Sequence, residues 1–134
     1  MKSSLTPSRI LSLLLWLVMF HSLAVGIGLI FMPVSWLPFF GFEPYARNFY
    51  QAQGGIFHIV MCVAYAMAAL RFQKYECLIQ FTIIAKFIAF AFLIIYYLSI
   101  DHIWMVLLSG LSDGTMGFLV LLAYKNYKKH RAIN

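Results

Sequence analysis

The chain has 134 residues, of which 63% are hydrophobic and only 10% charged. That leaves too little polar surface to coat a soluble domain, whereas a bilayer asks for no such coat. The formal charge of +6 would suggest a nucleic-acid partner in a soluble protein, but most of the basic residues flank apolar runs, which is topology information and speaks against nucleic acid.

At about 1.5 Å of rise per residue, about twenty apolar residues cross the hydrocarbon core. The sequence therefore predicts one all-α domain over residues 1–134, an antiparallel up-down bundle of four membrane helices. The first span covers residues 10–32 and is stopped by Pro33. Within it, Ser22-Leu-Ala24 has the small residues of a signal-peptide cleavage site, yet the apolar run continues unbroken to Met32, which favours a retained span.

Residues 33–49 form an outer loop too apolar for water and too broken by proline to span. Its aromatic residues Trp36, Phe39, Phe40 and Phe42 are expected to anchor it in the headgroup region; the alternative is a lid over a cavity between the helices. The second span covers 50–70 and ends at Arg71-Phe-Gln-Lys74, the third covers 77–100 and the fourth 103–124. The last two connections are short enough for hairpins. Lys2, Arg9, Arg71, Lys74, Lys125, Lys128, Lys129 and Arg131 fall on one side against Arg47 on the other, so both termini are expected in the cytoplasm. The tail Lys125–Arg131 is basic enough to bind anionic headgroups.

Ionisable groups inside spans are costly, so they are where function is sought. There are four, one per helix: His21, His58, Lys86 and Asp113. Counting from the basic side places them at depths of about 18, 19, 14 and 17 Å, nearly one level. Lys86 and Asp113 lie on consecutive helices and are expected to form an ion pair. Such a pair either fixes helix rotation or serves as a proton- or ion-responsive element or a counter-ion to an anionic substrate.

Gly110, Gly114 and Gly117, in the run Ser109-Gly-Leu-Ser-Asp-Gly-Thr-Met-Gly117, allow either close helix packing or a cavity beside the helix. His21 and His58 have the level placement that two axial haem ligands need, with Gly26, Gly28, Gly54 and Gly55 as a source of room; a histidine bonded to serine or a backbone carbonyl is the alternative. Cys62 and Cys77 lie fifteen apart and make neither a metal-ligand spacing nor a redox pair. On helix three, Gln80 and Thr82 are about 200° apart and cannot both face one core. If Gln80 points outward, it favours a docking surface for another protein; if both join Lys86 inside, they favour a pathway.

The order of Gly28-Leu-Ile-Phe-Met-Pro33, Phe40-Gly-Phe-Glu-Pro44, Gln53-Gly-Gly-Ile-Phe57, Ala68-Ala-Leu-Arg71, Ala85-Lys86 and Leu111-Ser-Asp113 resembles the DoxX-like group of small four-helix bacterial membrane proteins. The group often has an arginine where helix two begins; this chain has Gln53, with Arg47 the nearest candidate. The resemblance implies a four-helix fold in a bacterial inner membrane and, for some members, a role in quinone-dependent sulfur oxidation or as membrane partners of other proteins.

Three functions follow as expectations. The first is a non-catalytic subunit or accessory protein of a larger membrane complex, with other membrane subunits or further copies of itself as partners; no nucleophile or metal cluster is recognisable, and no cofactor is expected. The second is a small proton- or ion-coupled transporter built on Lys86 and Asp113. The third is a quinone- or haem-linked redox protein using His21 and His58.

Overall fold

The computed structural model describes residues 6–44 and 49–133. Lys2 and Arg47, counted for topology, lie outside the described residues. The described chain is all-helical: α1 (Pro7–Phe31), a 3-10 helix (Val34–Phe40), α2 (Phe49–Leu70), α3 (Glu76–Ser99) and α4 (Trp104–Ile133). Each of the four α-helices is long and apolar enough to cross a membrane.

Local chemistry accounts for the helix limits. Pro7 opens α1, where its missing N–H costs nothing and its fixed φ is already helical. Met32, the residue before Pro33, leaves helical geometry as sterics demand. The 3-10 helix tolerates Pro38 and is closed by Gly41, whose φ of 86° lets its N–H return to the Pro38 carbonyl. Between α2 and α3 the chain turns over Arg71–Tyr75, with the Lys74 and Tyr75 N–H groups both bonded to the Arg71 carbonyl.

One boundary differs from the sequence expectation. The fourth helix continues past Tyr124 to Ile133, giving 30 residues and a length of about 45 Å. That exceeds a hydrocarbon core of about 30 Å. The basic segment Lys125–Arg131 is therefore the projecting end of a helix, its register held by the buried Tyr124 and Tyr127.

The core lies toward that basic end. Leu11, Leu15 and Val18 of α1, Ala68 of α2, Ile79 of α3 and Val120 of α4 are almost fully enclosed. The outside is the reverse of a soluble surface: Leu13, Phe20, Phe57, Ile88, Phe92 and Phe118 are all more than half exposed. In the most apolar stretch of each helix only 17% to 33% of residues are buried inside the protein, and the remaining apolar surface fits contact with a lipid bilayer. This is a multi-pass membrane protein. The pairs α1–α2 and α3–α4 pack most extensively, α1 and α4 join them, and α2–α3 is the loosest of the four seams.

Candidate functional site

The residues Gly110, Gly114 and Gly117 make one stripe on α4, and α3 is packed onto it. A β-carbon at Gly110 would lie 3.1 Å from Leu93 Cβ, one at Gly114 2.7 Å from the Phe90 ring, and one at Gly117 3.1 Å from Lys86 Cβ. Of the two alternatives the glycines left open, close packing is the one realised here. Gly117 admits the root of Lys86, and one turn earlier Asp113 projects from the same face.

The expected pair is formed. Lys86 Nζ donates to Asp113 Oδ1 at 2.5 Å, with side chains only 3% and 9% exposed. The ammonium also lies 5.8 Å from the centre of the Tyr65 ring on α2. Each charge removes the penalty that the other would suffer alone in a medium without water.

The two histidines take different environments. His58 Nδ1 is 3.0 Å from Ser22 Oγ, and the Ser22 hydroxyl also lies 3.4 Å from the His58 carbonyl. This is the histidine–serine arrangement that sequence offered as the alternative to haem ligation. His21 is half-buried, and its Nδ1 is enclosed with no hydrogen-bond partner among the described residues.

The four glycines counted as a source of room near these histidines divide into two pairs. A β-carbon on Gly26 would lie 2.9 Å from the Gly55 carbonyl, and one on Gly55 2.7 Å from the Gly26 carbonyl. Two backbones occupy the space between Gly26 and Gly55. Gly28 has open space instead, and Gly54 meets only Leu29, at 3.8 Å.

Ser22, His58, Tyr65, Lys86 and Asp113, drawn from all four helices, line a cavity of about 160 Å³. His21 is not in its wall. Sequence reasoning missed Ser22 and Tyr65, although both were detectable by spacing. Tyr65 is seven residues after His58, two turns along one helix face, and Ser22 continues the buried series Leu11, Leu15, Val18.

A second polar cluster lies at the basic end. Glu76 opens α3 and accepts a hydrogen bond from the Tyr124 hydroxyl. Lys128 Nζ is 3.3 Å and an Arg131 guanidinium nitrogen 3.8 Å from its carboxylate. Tyr124, Lys128 and Arg131 are four and seven apart on α4, a spacing visible in the sequence once the tail is known to be helical. Exposed Gln80 donates from Nε2 to the Tyr124 hydroxyl at 3.4 Å, whereas buried Thr82 donates to the Leu78 carbonyl of its own helix at 2.7 Å.

The segment between α1 and α2 places its aromatic residues unequally. Trp36 and Phe39 are 59% and 75% exposed, while Phe40 and Phe42 are half-buried. Trp104 at the start of α4 donates from Nε1 to the Phe39 carbonyl at 3.3 Å and lies against the Phe39 and Phe40 rings. Cys62 is buried, its thiol 3.1 Å from the His58 carbonyl, and Cys77 is exposed. The two are free thiols.

No protein-family model, curated protein or solved structure matches the chain.

Proposed function

We propose that this protein is a small non-catalytic subunit or accessory protein of a larger membrane complex, related to the DoxX-like group. In this reading it sits in the bacterial inner (cytoplasmic) membrane as an antiparallel up-down bundle with both ends in the cytoplasm. Short connections at 71–75 and 100–103 and the excess of Lys and Arg at one end support that orientation.

The observation that carries the reading is the division of labour on α3. Thr82 and Lys86 turn inward, Thr82 bonded to its own helix and Lys86 to Asp113, while Gln80 stays on the outer surface beside the Glu76–Tyr124–Lys128 cluster. A polar, exposed side chain four residues into a membrane helix, continuous with a charged cluster, suits a protein neighbour better than hydrocarbon. The partner in this reading is another membrane subunit.

Gentle-detergent purification of the tagged protein from its native membrane, with an absorbance spectrum and identification of co-purifying chains, tests this. Stoichiometric partner subunits are expected, and Gln80→Leu should reduce their recovery. A colourless, partner-free homo-oligomer overturns the accessory role and transfers the case to transport through Lys86 and Asp113.

A further inference from the structure

The cavity at the Lys86–Asp113 pair is not needed for that role, and its position and chemistry point to a ligand of its own. It lies at the α2–α3 seam, the loosest in the bundle. The seam is loose for a local reason. Interlocked glycines draw α1 to α2 and α3 to α4, whereas α3 brings Ala85 and Ala89, one turn apart, to a wall completed from α2 by Phe57 and Met61. Phe57 is 62% exposed, so this apolar rim borders the outer surface of the bundle, where lipid lies. The cavity is thus reached sideways from the hydrocarbon layer.

Its inner end has unused hydrogen-bonding capacity. A lysine ammonium carries three donors and a carboxylate two acceptor oxygens. Asp113 Oδ1 takes one donor, and among the described residues no other acceptor bonds Nζ and no other donor bonds Asp113. Tyr65, itself 3% exposed, adds a phenol to the same wall. The pair is neutral as a whole, so the group it suits is neutral too, offering a carbonyl oxygen to Lys86 or Tyr65 and a proton to Asp113 Oδ2. An un-ionised carboxylic acid has both functions on one carbon.

Volume narrows the class further. About 160 Å³ is the space of about five waters, enough for a carboxyl and the first methylenes but below the usual range of about 300–1,000 Å³ for larger ligands. We infer that the α2–α3 cavity binds the carboxyl head of a single-chain fatty acid, which enters from the bilayer between Phe57, Met61, Ala85 and Ala89 and leaves its tail in lipid. This goes beyond the accessory role and does not rest on it.

The test uses the full chain in phosphatidylcholine nanodiscs and a palmitic-acid analogue carrying a chain diazirine close to the carboxyl, with cross-linked positions read by mass spectrometry. Saturable labelling concentrated on Phe57, Met61, Ala85 and Ala89 is expected, displaced by palmitic acid but not by methyl palmitate or hexadecanol. Ala89→Leu, which narrows the mouth, should lower this labelling at least several-fold. Tyr65→Phe keeps the packing volume, removes one donor and should weaken palmitic-acid competition about fivefold. Labelling that is unsaturable and follows lipid exposure, reaching Leu13 and Phe118 equally, overturns the proposal. Equal displacement by the ester or the alcohol, or palmitic-acid competition unchanged in Tyr65→Phe, overturns the carboxyl assignment. Circular dichroism of both variants separates lost binding from lost folding.

Discussion

Removing one member of the buried pair should be far more damaging than removing both. At 2.5 Å and an effective dielectric of about 20, the attraction between Lys86 and Asp113 is about 7 kcal/mol before desolvation is charged against it. Asp113→Ala abolishes that attraction and leaves an ammonium enclosed against α4, with an expected loss of about 3–5 kcal/mol, as for other broken buried pairs. Lys86→Met strands the carboxylate and should cost a similar amount. The double variant carries no buried charge and should recover to within about 2 kcal/mol of the parent, because apolar replacements of buried pairs are often nearly neutral. The four proteins form a double-mutant cycle, read by reversible unfolding in mixed dodecylmaltoside–SDS micelles. A coupling energy below about 1 kcal/mol, or a double variant no more stable than Asp113→Ala, would refute the view that this pair sets the rotation of α3 against α4.

Two further outcomes follow from contacts already described. Gly55→Ala places a methyl 2.6 Å from Ile30 and 2.7 Å from the Gly26 carbonyl, so it should destabilise by about 1–3 kcal/mol in the same unfolding assay. Gly28→Ala meets nothing within 4 Å and should be neutral or stabilising by up to about 1 kcal/mol from helix propensity alone; equal effects at the two positions would contradict the α1–α2 contact. Exposed Cys77, at the basic end of α3, should react with a membrane-permeant maleimide in intact cells but not with an impermeant one, while buried Cys62 should react only after unfolding. Labelling of Cys77 by the impermeant reagent would reverse the proposed orientation.

The solvent and the spans are set locally along the chain. Apolar runs of about twenty residues and their stops at Pro33 and Arg71 are local properties, and the rise of a helix brings Lys86 and Asp113 to a common level whatever surrounds them. Rotation is different. A helix that is apolar nearly all round reveals little about which stripe faces its neighbours, so the contrast between Gly55, locked against Gly26, and Gly28, in open space, was not legible. Gln80 and Thr82 were known to diverge, but only packing decided that Thr82 is the enclosed one, bonded to its own helix. The extension of α4 was not legible because Lys125–Arg131 is polar; the burial of Tyr124 and Tyr127 against the bundle is a tertiary feature, and the exposed contact between Glu76 and Lys128 adds little to it. The open α2–α3 seam, finally, is a property of no single segment. It follows from which pairs of helices have glycines that let their backbones approach, and so it exists only once the four are assembled.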